Sequence, residues 1–190
     1  MTRLCLVRHG ETDWNVEGRY QGQSDTPLNQ KGRAQAEMLA RELQSTSFAA
    51  VYTSDLERAR ETAAIIAQSL RLPVTMEPRL REIHQGAWEG KRVQSIKAHY
   101  SALWHRRTAD PAKVRPPGGE TVEEVATRVH AALTDIATTH YEESILVVSH
   151  GLAIATAICA TEGLPVGQAY TVIPENATPL WIEWPLPNYK

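Results

Sequence analysis

Three short stretches of the chain are apolar without alternation: Leu4 to Val7, Ala49 to Thr53 and Ile145 to Val148. A strand with one face in water alternates apolar and polar residues, so unbroken runs predict strands covered on both faces, as in a parallel sheet. Between them the period lengthens. From Asn29 through Leu43 the positions Ala34, Met38, Leu39 and Leu43 recur at helical spacing, and Leu56 to Leu70 does the same through Ala59, Ala63, Ile66 and Leu70. Pro116-Pro117-Gly118-Gly119 reads as a loop, and Thr121-Val122-Glu123-Glu124 follows with a capping-box pattern, Thr121 as N-cap and Glu124 reaching back. That helix is expected to run to about His140. The stretch from Lys91 to Thr108, rich in His, Arg and Trp, predicts a further helix with a less regular apolar face. Leu180 to Trp184 alternates and predicts a late strand at a sheet edge. Strands alternating with helices give an α/β fold, a three-layer sandwich with a mostly parallel central sheet flanked by helices.

Length and charge narrow the picture. A chain of 190 residues suits one α/β domain, expected across 1–190, with no repeat or linker to divide it. Lys and Arg number 20 against 22 Asp and Glu, a formal net charge of -2, so no basic field draws nucleic acid or an anionic membrane. Any anion site must be local. The opening apolar run is too brief for a signal peptide and no later one is long enough to span a bilayer. With two cysteines, Cys5 and Cys159, both expected as buried thiols, the expected location is cytoplasmic.

The candidate chemistry sits where strands end. Leu6-Val7-Arg8-His9-Gly10 and Val147-Val148-Ser149-His150-Gly151 both run from apolar strand into His-Gly. Ligands of open α/β sheets bind beyond the carboxyl ends of the strands, so neighbouring strands would turn both imidazoles into one crevice. Glycine after each histidine permits a tight turn and close approach of backbone N–H groups. Arg8 makes poor sense as a core residue, since a guanidinium is rarely buried without a partner, and a bound anion would supply one. Ser54-Asp55-Leu56-Glu57-Arg58-Ala59-Arg60 follows the second strand and opens a helix whose N-terminus adds partial positive charge. Arg58, in the first turn, is the better ligand of the two arginines.

These residues resemble the histidine phosphatase superfamily, which also contains the phosphoglycerate mutases. The likeness rests on 6–15 (Leu-Val-Arg-His-Gly-Glu-Thr-Asp-Trp-Asn), on Arg19-Tyr20-Gln21-Gly22 with Asp25, Pro27, Leu28 and Gly32, and on Ser54 to Ala59. It continues through Arg81-Glu82-Ile83-His84-Gln85-Gly86-Ala87-Trp88-Glu89-Gly90, Pro117-Gly118-Gly119-Glu120-Thr121 and Val148-Ser149-His150-Gly151, in the family's order and over nearly the whole chain. The resemblance implies a nucleophile at His9 that becomes a phosphohistidine, a phosphate pocket of Arg8, Arg58 and His150, and further contacts from Asn15, Gln21, Gly22 and Gly151. It implies that Glu82 protonates the leaving alcohol and later activates water. Read alone, Glu82 is equally a surface carboxylate paired with Arg81 or Arg79; Glu11 and Glu89 are lesser candidates for the acid. Trp14, Trp88 and His84 line the pocket or simply pack. No metal or cofactor is expected, and the partner is a small phosphorylated metabolite.

Within the family, phosphatase is favoured over 2,3-bisphosphoglycerate-dependent mutase. The chain is shorter than typical mutases between Gly90 and Pro116, Gln85 stands where they usually carry tyrosine, and Leu152 where they usually carry asparagine. Arg92, Lys97, Arg106 and Arg107 could still meet a substrate carboxylate, and the segment at about 91–118 is expected to cover the site. A non-catalytic phosphoester-binding module is the remaining alternative.

Overall fold

The structure is a computed structural model describing residues 1–184; the end of the expected domain, 185–190, lies outside the described residues. In chain order the elements are β1 (Thr2–Arg8), α1 (Asp13–Val16), α2 (Gln30–Leu43), β2 (Ala50–Thr53), α3 (Glu57–Leu70) and β3 (Val74–Met76). Then follow α4 (Val93–His99), α5 (Ser101–Ala109), α6 (Val122–Thr139), β4 (Ser144–Ser149), α7 (Gly151–Glu162) and β5 (Pro179–Trp184). Short 3-10 turns occur at Pro78–Leu80, Gly86–Trp88 and Val166–Thr171.

The five strands form one sheet in the order β3-β2-β4-β1-β5. All neighbours pair in parallel except β5, which runs antiparallel along the outer edge of β1. The unbroken apolar runs are explained by the two layers around them. Leu4, Leu6, Ile145 and Val147 point into a core shared with α6 and α7, whereas Cys5, Val7, Leu146 and Val148 point into one shared with α2 and α3. Each such side chain, fully buried, contributes roughly 1.5–3 kcal/mol relative to exposure. The edge strand β5 alternates because Leu180, Ile182 and Trp184 pack on the α6–α7 core while Trp181 and Glu183 stay more exposed.

Some elements differ from their expectation. The inward face of α2 runs through Gly32, Ala36, Leu39, Ala40 and Leu43, while Ala34 and Met38 face outward. The helix expected over 91–108 is two, α4 and α5, meeting at Tyr100, whose ψ of 39° breaks the α geometry. The three-residue β3 and the whole of α7 carry no pattern in the sequence. α7 is buried at every position from Gly151 to Cys159, so it lacks the polar stripe that marks a surface helix. α6 forms as expected, with both halves of the capping box made by Thr121 and Glu124. Cys5 and Cys159 are buried thiols, and burial pushes Cys5 up to about 12. No helix among the described residues is long and apolar enough to cross a membrane.

Candidate active site

The register of β1 on β4 pairs Arg8 with Ser149, which brings the residues just beyond them together. His9 and His150 therefore leave neighbouring strands side by side, ring centroids 5.2 Å apart. His9 is held on every side: its N–H donates to the Ser149 carbonyl (3.0 Å) and its own carbonyl accepts from Asn176 Nδ2 (2.7 Å). The Gly10 N–H donates to Thr62 Oγ1 at 3.0 Å. A Cβ on Gly10 would lie 2.4 Å from the Gly32 carbonyl oxygen, so only glycine lets this turn meet the start of α2.

The tautomer of His9 follows from its contacts. Nδ1 lies 2.7 Å from the Gly10 carbonyl oxygen, which can only accept, so Nδ1 carries the proton and Nε2 keeps its lone pair. Arg58 Nε points at that lone pair from 3.3 Å. Burial, then the charges of Arg58 and Arg8, hold the His9 pKa well below its usual value and the ring neutral.

Arg58, in the first turn of α3, is completely buried. Asp25 accepts from the Glu57 N–H and so caps this helix from another part of the chain. The remaining Arg58 nitrogens donate to the carbonyls of Ser24 and Gly22, each at 2.8 Å, and burial lowers its pKa to about 10. Arg60, two residues on, is exposed. Arg8 donates through Nη1 to the Pro174 carbonyl (2.9 Å), while its buried Nε has no partner in the protein. His150 is fully buried with Nε2 2.8 Å from Ser54 Oγ; its Nδ1 also has no partner. Burial and then Arg58 hold this ring neutral as well. A buried Arg8 nitrogen without a partner, beside a cluster of positive charge, suits a bound anion.

Glu82 is not the surface carboxylate paired with arginine that its neighbours suggested. Arg81 pairs with Asp55, and Arg79 with Glu77 and Asp135. Instead the Glu82 carboxylate accepts from two backbone N–H groups, Ile83 (2.9 Å) and Leu152 (3.2 Å) at the start of α7. Its backbone is braced by Arg128 of α6, which donates to the carbonyls of Arg79, Arg81 and Glu82 at 2.6–2.9 Å and forms a two-pronged pair with Glu120. Glu11 is taken up by Lys31 and Asn29, and Glu89 by Gln23, Ser24 and Gln85.

A cavity of about 200 Å³ opens over these groups. Arg8, His9, Asn15, Gln21, Gly22, Arg58, Glu82 and Gly151 all line it, whereas His150 sits behind His9 rather than on the wall. The side-chain oxygens of Asn15 and Gln21 are already engaged with Thr12, so these residues shape the wall through a local network. Trp14, Trp88 and His84 do not line the cavity, nor does any residue of 91–118; Trp88 is buried beneath Tyr20 and Arg107. Tyr170 and Ile173 on the wall, and Pro174 and Asn176 behind it, were not foreseen. Only the chain order of the loop before β5 places them, and no residue-type signal marks it.

Chemically, the cavity wall offers three arginines, Arg8, Arg19 and Arg58, a neutral imidazole with an unprotonated Nε2 and a carboxyl group positioned by amides. Fixed positive charge in a partly desolvated space holds the oxygens of a tetrahedral anion far better than water does. A neutral imidazole can attack the centre of that anion, and a carboxyl can move a proton to or from an ester oxygen.

Comparison with known proteins agrees with this geometry. The histidine phosphatase superfamily (branch 1) profile matches residues 4–185. Phosphoserine phosphatase 1 of Hydrogenobacter thermophilus is 35% identical over 178 residues, covering 94% of this chain and 84% of that protein. The probable phosphoglycerate mutase GpmB of Photorhabdus laumondii is 39% identical over 166 residues, covering 87% and 77%. Among solved structures, mycobacterial glucosyl-3-phosphoglycerate phosphatase in complex with VO3 superposes with a TM-score of 0.86 at 32% identity, over 95% of this chain and 90% of that one. By its sequence, its sheet and the placing of its paired histidines, the chain belongs to the histidine phosphatase superfamily, branch 1.

Proposed function

We propose that the protein is a cytoplasmic phosphomonoesterase that hydrolyses small phosphate esters of metabolites through a phosphohistidine on His9. The observation that carries this reading is the state of His9, a neutral ring on the cavity wall whose Nε2 is unprotonated and accepts from Arg58 Nε, beside Arg8 and Glu82. In the first step Nε2 attacks phosphorus, the ester P–O bond breaks and Glu82 gives its proton to the departing alcohol. Arg8 and Arg58 hold the phosphoryl oxygens, whose spread charge is the main demand of such a transition state. Arg8 Nε, on the cavity wall, gains its missing partner in the same event. In the second step Glu82 takes a proton from water, the water oxygen bonds to phosphorus, the P–N bond breaks and inorganic phosphate leaves. The loss of partnered geometry at Gly151 and Leu152 would undo the positioning, since these residues bring both wall and amide.

The test is to mix the protein with phosphorus-labelled aryl phosphate and quench in acid or base. A covalent label stable in base and labile in acid, absent from His9→Ala while that variant keeps its circular dichroism, is the expected result. Turnover surviving in His9→Ala overturns the assignment.

The likeness to a probable phosphoglycerate mutase supports a second reading, in which phosphohistidine returns its phosphoryl group to a bound phosphoglycerate. Arg92, Lys97, Arg106 and Arg107, the cations considered for its carboxylate, lie off the cavity wall, and Arg19, which is on it, is taken up by Glu17 and the Gly90 carbonyl, so hydrolysis is favoured. Phosphoglycerate supplied with 2,3-bisphosphoglycerate separates the two by whether phosphate moves or is released. A binding module without catalysis would release none from any ester.

A further inference from the structure

Beside the His9 cavity lies a second cavity of about 350 Å³, bounded by Tyr20, Trp104, Arg107, Thr108, Pro111 and Tyr170. Tyr20 and Tyr170 line both, so the two spaces share a wall. We infer that the second cavity receives the alcohol half of the substrate and that this half is a flat aromatic or heteroaromatic ring. The word substrate rests on the hydrolase reading above; the ring rests on this cavity alone.

The walls select by shape and by what they lack. Trp104, Tyr20 and Tyr170 offer three aromatic rings and Pro111 a fourth apolar surface, which suits a planar group and gives little to a flexible chain. Arg107 is buried, and among the described residues no carboxylate pairs with it. Its guanidinium is instead enclosed by rings, 4.3 Å from the Tyr170 centroid, 5.1 Å from Trp104, 5.3 Å from Tyr20 and 5.4 Å from Trp88. Nη1 donates to the Tyr20 hydroxyl at 2.7 Å. Apart from the Tyr20 and Tyr170 hydroxyls and Thr108, these walls offer a sugar's hydroxyls little to bond, while their area is mostly ring face. An ammonium group would meet a positive charge and no acid. A flat ring meets neither obstacle, and an electron-rich ring gains from the adjacent cation. This also gives the 91–118 segment a place: its α5 residues Trp104, Arg107 and Thr108 form the outer cavity while leaving the inner one untouched.

The experiment compares esters of primary alcohols, so that leaving-group chemistry stays close: benzyl phosphate, glycerol phosphate and phosphoserine. A ring stacked on aromatic side chains gains enough to raise kcat/KM for benzyl phosphate about tenfold over the other two. Trp104→Ala is expected to remove most of that preference, lowering benzyl phosphate far more than glycerol phosphate. Thr108→Trp fills the cavity from an exposed position and is expected to do the same with the core untouched. Binding is measured separately by calorimetry with benzylphosphonate and methylphosphonate, neither of which can be hydrolysed. If no ester releases phosphate but benzylphosphonate binds about tenfold tighter in a Trp104-dependent way, the subsite stands and the hydrolase reading falls. If all three esters are hydrolysed alike and the two phosphonates bind equally, hydrolysis stands and the ring subsite is wrong.

Discussion

Acidification is expected to loosen this fold through the two site histidines, well before any carboxylate titrates. His9 and His150 are both buried and both held well below their ordinary pKa of 6.5, chiefly by burial and then by Arg58. In the unfolded chain each regains the ordinary value and takes up a proton as pH falls through it. The unfolded state then binds more protons than the folded one, so stability drops with falling pH, starting near 6.5 and continuing until the folded values are reached. Above that window the effect is absent. From pH 7 to 5.5 each histidine removes about 1.3 kcal/mol, and the pair about 2.5 kcal/mol, a large share of a typical domain stability of about 5–15 kcal/mol. Carboxylates stabilised by arginine, such as Asp55 and Glu77, have depressed values and act in the same direction only below their ordinary range near pH 4, outside this window. Urea melts at half-unit pH steps measure the slope, with a constant m-value as the check on two-state behaviour. His9→Asn should halve the slope and the His9→Asn/His150→Asn pair should flatten it. A flat profile in the parent protein, or an unchanged slope in the double variant, would show that these rings are not held neutral by the fold.

Other outcomes follow from the same contacts. Glu82→Gln should slow glycerol phosphate by about a hundredfold or more and aryl phosphates much less, because a phenolate departs without a proton; equal losses in steady-state assays remove the acid role. Arg128→Lys keeps the charge but loses the fork that braces Glu82. It should reduce stability by about 1.5–3 kcal/mol in urea melts. It should also lower kcat on the same poor-leaving-group esters while KM holds, and an equal loss on aryl esters would make the brace purely structural. Gly22, at φ +53°, leaves a built Cβ 2.3 Å from Glu89 Oε1, so Gly22→Ala should cost about 1–3 kcal/mol, measured by thermal melting.

What the sequence disclosed depended on whether a feature left a pattern. Strands buried on both faces show as unbroken apolar runs, and the paired His-Gly strand ends gave the site its location. Arg58 could be preferred over Arg60 because first-turn position is a matter of counting. α7 left no mark, since burial all round removes the periodicity that reveals a helix, and β3 is short with all three side chains exposed. In α2, Ala34 and Met38 are apolar yet face water, while Gly32, whose neighbours leave no room for a Cβ, and Ala36 face inward. The setting of Glu82 was illegible because its partners are backbone amides, which every residue has. Asn176 and Pro174 were hidden for a different reason, their targets lying more than 160 positions earlier in the chain.

That long reach has a consequence for biosynthesis. A ribosome delivers His9 long before Asn176, and β1 stays without either flanking strand until residues 144–149 and 179–184 emerge. Local helices such as α2 and α3 can pair early, but the centre of the sheet closes only after residue 184 has emerged, through contacts of the kind that make folding slow. Until then the nascent chain carries His9 without the surroundings that hold it, and leaves a hydrophobic central strand for chaperones to shield.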